Sequence, residues 1–299
     1  MNTEYIKYLA DKLSFPDEAK ISLIADTAKI NASVKASVLL DDALKAYENS
    51  DYAYESIKYR FDGIAENSGV HKYAAAMLIL MLACEKLEKK YAEAGYTDEM
   101  FVNSMTDLRC KLVEYHNSYG FWGTDSTWHT RFYRMTCFGL GRFQFEKREF
   151  KNKCSGIAGN FVKEGDTVLN FHIPSTGESL TEEIRFASYK KAKEFFFPNS
   201  DKPTPFVCHS WLLWPGYEEC LKNNKNTMAF RHDFTIVDAS ESQRFSDGWR
   251  VFGPKAWGDV SEWPRDTSMR RALAEYTEQG GTHGSGYGLF FFDGEKIVK

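Results

Sequence analysis

The sequence has no C-x-x-C pair: its six cysteines stand apart at positions 84, 110, 137, 154, 208 and 220. That spacing predicts no zinc site or other metal ligand set and no disulfide framework. Reduced, mostly buried thiols in a cytoplasmic chain are the economical reading. A run of about eighteen apolar residues is also missing, so no membrane span is expected. The opening stretch MNTEYIKYLADKLSF is amphipathic and carries acidic residues. It lacks the apolar core of a signal peptide. Positive charge is not in surplus. The formal net charge of −4 argues against a general nucleic-acid binder. Internal repeats and low-complexity tracts are absent as well.

What is present fits a globular chain of more than one domain. At 299 residues it exceeds one typical domain, so two are expected. Aromatics reach 15%, enough for large cores or an apolar ligand groove. An α+β protein is predicted, all-helical over residues 1–125 and mixed α/β over 126–299. In the first part, Phe15-Pro16-Asp17-Glu18 reads as a helix start, and helical spacing recurs over 31–47 and 54–64. The helix from Val70 is apolar on nearly every side in its first half and should sit centrally in a bundle. Its Met77-to-Met81 stripe reads as core. Thr97-Asp98-Glu99 opens another helix, to about Asn117.

The composition changes at Ser118–Gly123. Beyond it, 131–140 is β-prone, 143–146 alternates with period two, and the turn-rich stretch 156–165 suits a meander. Thr167–Phe197 reads as strand, loop and helix: Val168–Ile173, a break at Pro174, then a helix capped by Ser179 or Thr181, with Glu182 placed for a capping box. Further strands are expected over 206–213, 227–238, 249–252 and 289–292, and helices over 217–221 and 269–278. The glycine-rich stretch 280–288 follows a helix and precedes a strand, the reverse of a phosphate loop, and reads as a flexible connection or lid.

Several side chains could carry chemistry. Asn170 and His172 share one face of their strand, opposite Leu169, Phe171 and Ile173. Two polar groups there need partners or a ligand, and a histidine is a natural general base. Glu146, the polar member of its alternation, lines the same cleft or faces water. A helix N-terminus after a strand, as at 174–181, suits a phosphate. Cys208 and His209 are adjacent on a strand, so they point to opposite faces and do not pair. No G-x-S-x-G elbow surrounds Ser210, which leaves hydrolysis through Cys208 or Ser210 a third choice. Tyr217 opens a short helix just after a strand, where a tyrosine could protonate a leaving thiolate.

In order, GLGRFQFE at 139–146, FHIPSTGESLT at 171–181, CHSWLL at 208–213, FRHDFTIVD at 230–238 and WPRDTSMRR at 263–271 resemble a two-domain prokaryotic family over essentially the whole chain. Its helical N-terminal domain precedes a domain similar to GCN5-related N-acetyltransferases, the GNAT fold. The resemblance implies that Val168–Ile173 and 206–213 are two splayed strands holding acetyl-CoA or another acyl-CoA by β-strand addition. Ile173, Pro174, Ser175, Thr176, Gly177, Ser179 and Thr181 would then hold the pyrophosphate, with Cys208 and His209 on the other arm. It implies Tyr217 as the acid, and His172 or Glu146 as the base for a small-molecule or peptide amine that attacks the thioester directly. The usual Q/R-x-x-G-x-G/A loop is here IPSTGESLT, with Gly177 alone and no leading arginine or glutamine. A non-catalytic GNAT-like module that binds a ligand or a partner protein is the alternative.

Overall fold

Helical spacing in the first part of the chain becomes helices, four of them with side-chain caps. In the computed structural model, which describes residues 1–125 and 127–298, the helices are α1 (Thr3–Lys12), α2 (Asp17–Ala32), α3 (Val34–Asn49), α4 (Phe61–Ser68), α5 (Lys72–Glu93), α6 (Asp98–Tyr119) and the short α7 (Thr130–Tyr133). Asn2, Ser33 and Thr97 accept from the backbone three residues on, as N-caps do. The pattern over 54–64 opens with a single 3₁₀ turn, Tyr54–Ser56. Ser50 and Ser56 hydrogen-bond locally there and compete with an α-helix. Every residue of α5 from Ala74 to Cys84 is buried. A helix apolar all round must be surrounded, and α5 packs against α1, α2, α3, α4, α6 and α7. Met77 and Met81 are core residues.

The chain divides into two units, Met1–Gly139 and Leu140–Lys299. The sequence-based boundary at 125/126 abuts residue 126, which lies outside the described residues. The second unit is built on a mixed sheet. β1 (Cys137–Leu140) leads into it; then follow β2 (Phe143–Glu149), the hairpin β3 (Cys154–Ile157) and β4 (Asn160–Lys163), β5 (Thr167–His172), α8 (Glu182–Phe196), β6 (Thr204–Ser210), α9 (Tyr217–Cys220), α10 (Lys225–His232), β7 (Thr235–Ser242), α11 (Trp249–Phe252), α12 (Ser268–Glu278), β8 (His283–Phe292) and β9 (Ile297–Val298). Its strands run β2-β5-β6-β8-β7, with β9 beside β8. One face is aromatic and covered by helices: Phe143, Phe171, Phe206 and Phe290 pack with Tyr189 of α8 and Phe230 of α10. The other face carries a smaller apolar cluster, Phe150, Val168, Val207, Leu289 and Phe291, closed by Val162 of the hairpin.

Local expectations also change: the β-prone 131–140 starts as the helical turn α7 and is strand only from Cys137, and 206–213 ends in a 3₁₀ turn, Trp211–Leu213. The stretch 227–238 begins as α10, because Met228, Phe230 and Arg231 turn inward together and Arg231 donates to the Leu212 carbonyl and to Glu218. Trp249–Phe252 is one helical turn, packed beside Trp263 and Phe245 in a separate aromatic core. The glycine-rich stretch is not a flexible connection; from His283 it is strand β8. A Cβ at Gly284 would stand 2.6 Å from the Trp214 ring, at Gly286 2.3 Å from the Leu213 carbonyl oxygen, and at Gly288 2.6 Å from the Phe234 ring. The glycines let backbone and rings lie flat on the strand. Because the Leu213 carbonyl cannot rotate away, Gly286→Ala should cost about 3 kcal/mol or more, measured as a fall in the urea midpoint; an unchanged midpoint would mean the backbone yields freely there.

Candidate active site

The site begins with a failure of pairing. β5 and β6 are parallel and share only Leu169↔Phe206 and Asn170↔Val207. β5 runs on through Phe171 and His172, held on its outer side to β2 as far as Gln144↔His172. β6 runs on through Cys208, His209 and Ser210, held to β8 as far as Ser210↔Gly286. Each arm follows its outer neighbour, so the inner edges part and a wedge opens between His172 and Cys208–Ser210.

Period-two alternation sets the polar groups at its mouth. Glu146 and Asn170 are register partners and both are buried. Glu146 Oε1 accepts from His172 Nε2 at 2.7 Å, from Arg148 Nε at 2.9 Å and from Asn170 Nδ2 at 3.2 Å. Three donors on one oxygen make Glu146 the acceptor, which assigns the proton of neutral His172 to Nε2 and its basic lone pair to Nδ1. Asn170 Nδ2 lies 3.0 Å from the same ring nitrogen, and its hydrogen goes to the carboxylate. The alternation predicts the shared face of Asn170 and His172; the structure brings Glu146, which the sequence left between the cleft and water, to the same group and adds Arg148.

Across the wedge, His209 is exposed and its Nε2 stands 2.9 Å from Ser285 Oγ. Cys208 points the other way into the aromatic core, and burial pushes its thiol up to about 12. Ser210 accepts from the Leu212 amide and starts a 3₁₀ turn. Neither is a poised nucleophile.

The loop from Ile173 to Thr181 leads to α8. Thr181, not Ser179, is the cap, accepting from the Ile184 amide; Ser179 accepts instead from Asn226 at 2.7 Å. Thr176 bonds within the loop: its amide donates to the Pro174 carbonyl and its hydroxyl oxygen accepts from the Glu178 amide. Gly177 has φ +81°, which only glycine adopts without strain, and nothing lies within 4 Å of where its Cβ would be. Pro174 and Ser175 complete the turn. Two buried arginines that the motifs do not announce, Arg142 and Arg185, grip this loop from beneath.

Tyr217 keeps other company. It is fully buried among Trp211, Phe245 and Tyr276. Its hydroxyl is 2.6 Å from Nδ1 of His283. Thr277 Oγ1 gives its hydrogen to the Leu273 carbonyl and so accepts from His283 Nε2 at 3.0 Å; Nδ1 is then the acceptor and Tyr217 the donor. The structure therefore does not bring Tyr217 into hydrogen-bonding company with Glu146 and His172. His283 was not visible as a partner, being 66 residues away inside a glycine repeat. Among the described residues, no His/Cys/Asp/Glu group could hold a metal and no helix is long and apolar enough to cross a membrane.

This architecture has relatives. Residues 4–135 match the N-acyltransferase N-terminal domain, and residues 137–290 match the GNAT-like C-terminal domain. The chain belongs to this two-domain acyltransferase family. Its fold is shared by solved acyltransferases. One, in complex with decanoyl-CoA and teicoplanin, has a TM-score of 0.71 at 19% identity over 95% of this chain and 86% of that one. A mutant acyltransferase in complex with octanoyl-CoA has 0.72 at 19% identity, over 97% and 88%. A third, with CoA and 10C-teicoplanin, has 0.70 at 20% identity, over 94% and 85%. No curated protein matches.

Burial holds the His283 imidazole well below its ordinary value, at about 4. Unfolded, it takes a proton below about 6.5. Its contribution is therefore present above about pH 6.5 and lost as pH falls toward 4, on the order of 3 kcal/mol in all. In urea titrations the stability gap between the wild type and His283→Gln should shrink from pH 7 to pH 4.5. A gap of constant size would show that His283 keeps an ordinary imidazole affinity.

Proposed function

We propose that the protein is an acyl-CoA-dependent N-acyltransferase in which a small-molecule or peptide amine attacks the thioester directly. The observation that carries this reading is the parted β5–β6 edge with the Glu146–His172 pair at its mouth. Open strand edges can pair with the pantetheine amides, as an added strand would. The relatives that share the fold were solved with decanoyl-CoA, octanoyl-CoA or CoA. The loop Ile173, Pro174, Ser175, Thr176, Gly177, Ser179 and Thr181 is assigned to the pyrophosphate, and the backbone of Cys208 and His209 to the second wall.

His172 is assigned as the base. Its Nδ1 takes the proton as the amine nitrogen bonds to the thioester carbon, and Glu146 at Nε2 stabilises the imidazolium that forms. The carbon–sulfur bond then breaks and CoA leaves as thiolate. The inert Cys208 supports direct attack over an acyl-enzyme. Tyr217 is the weakest of the assignments: burial raises its pKa, and its hydrogen is committed to His283. Tyr217→Phe should cost about 1–3 kcal/mol by leaving a buried nitrogen unpaired; a selective fall in turnover at unchanged stability would restore it as the acid.

Calorimetry with octanoyl-CoA should show saturable binding, and amine-dependent release of CoA thiol should follow. Glu146→Gln and His172→Asn should each lower turnover about 10²–10⁴-fold with little change in acyl-CoA affinity. Binding without thiol release from any amine would favour a non-catalytic module. No binding would remove the acyl-CoA reading altogether.

A further inference from the structure

The loop of this chain has one glycine where acyl-CoA loops of this kind have more, and no basic residue of its own at the start. Its carbonyls answer both deficits. Arg142 is buried, and donates from Nη1 to the Pro174 carbonyl at 2.9 Å and from Nε to the Glu178 carbonyl at 3.1 Å. Arg185, also buried, donates from Nη1 to the Leu180 carbonyl at 2.7 Å while its other nitrogens hold Asp233. Three carbonyls of one short loop are thus turned inward onto two guanidinium groups.

A trans peptide is planar, so its N–H points opposite to its C=O. With the Glu178 and Leu180 carbonyls turned in, the amides of Ser179 and Thr181 are turned out, just before and at the cap of α8. The positive φ of Gly177 bends the chain between the clamped points. Arg142 is itself aimed by α8: Ser188 accepts from the Phe143 amide and donates to the Leu140 carbonyl, fixing the turn at Gly141 from which Arg142 extends. The clamp also supplies charge. Glu182 and Glu183 in the first turn of α8 suit the helix dipole but repel a phosphate, and Glu178 stands 4.0 Å from Arg142. A buried guanidinium beneath the loop offsets them.

We propose that Arg142 is a positioning residue for the pyrophosphate of acyl-CoA. Its fork holds the loop with carbonyls in and amides out, doing with a side chain what glycines do through backbone freedom. This inference rests on the acyl-CoA reading above. Arg185 shares the clamp, but its bidentate pair with buried Asp233 makes its removal a folding lesion, so Arg142 is the residue to test.

The test compares octanoyl-CoA with S-octanoylpantetheine, which has the same thioester and amides but no phosphate. In Arg142→Gln the Kd for octanoyl-CoA should rise about 10- to 100-fold, the worth of a hydrogen bond to a charged group, while the Kd for S-octanoylpantetheine stays within about twofold. Turnover at saturating octanoyl-CoA should be nearly unchanged, a loss in KM alone. Arg142→Lys keeps the charge without the fork and should remain weakened, and it serves if the Gln variant does not fold. Equal weakening for both ligands, or wild-type affinity in Arg142→Lys, would overturn the clamp. A wild type that binds both ligands equally would remove the pyrophosphate from this loop. A wild type that binds neither would instead defeat the acyl-CoA reading, a separate failure.

Discussion

The parting of β5 from β6 is the constraint on which the second unit depends. A parallel pair would ordinarily continue while both strands last, yet here it stops after Asn170↔Val207. Neither strand is distorted. β5 is held to β2 over six register pairs and β6 to β8 over seven, and these antiparallel ladders diverge with the twist of the sheet. The inner backbone groups of Phe171–His172 and Cys208–Ser210 are thereby left at an opening, where water or an added strand must satisfy them. The aromatic layer of Phe171, Phe206, Phe290 and Tyr189 supports both arms from the helical side, so the wedge is formed by strands anchored in the core and not by a loop.

Polarity follows from the same alternation. Side chains that face the helices beside the wedge include aromatic rings, Leu169 and, at Cys208, a thiol held neutral by burial. Those on the other face are Gln144, Glu146, Asn170 and His172 on one arm, and His209 with Ser285 and Tyr287 on and beside the other. Apolar Val168 and Val207 lie deeper on this second face. The wedge therefore opens from an apolar floor toward acid–base groups. That gradient suits a reaction in which a thioester is held in a drier place and a proton is removed at the rim.

Much of this is legible in the residues themselves. Period two alone puts Asn170 and His172 on one face and predicts Glu146 as the polar member of its strand. The all-round apolar pattern of 74–84 predicts the central helix of the first unit. The illegible parts are those decided by distant neighbours. Gly284, Gly286 and Gly288 look like a loop because glycine has no strand preference, and only Trp214, Leu213 and Phe234 lying against them explain the strand. The run 227–238 has strand-forming residues, but Arg231 and its carbonyl partner at Leu212 impose a helical turn. Tyr217 has the right place in the chain for an acid, yet position in sequence does not say that His283 will claim its hydrogen. Arg142 belongs to a strand-to-strand turn, and nothing in GLGRFQFE marks it as the brace of a loop more than thirty residues later.

These features decide what kind of chemistry the site can support. A covalent route would need an exposed, activated nucleophile. Cys208 faces the helices with its thiol raised to about 12, and Ser210 spends its oxygen on a backbone amide. What stands at the mouth instead is a histidine oriented by a carboxylate, itself fixed by an asparagine and an arginine. Arg148 and Asn170 keep Glu146 aimed at Nε2, so the carboxylate orients the ring. On the proposed reading, a histidine oriented by a carboxylate, a parted strand edge and no activated nucleophile among the wedge residues would bring two molecules together and manage one proton between them. The groups that would bind the larger of the two are mostly backbone, which is why the orientation of peptide planes, down to the carbonyls clamped beneath Gly177, counts as much as the identity of the side chains around them.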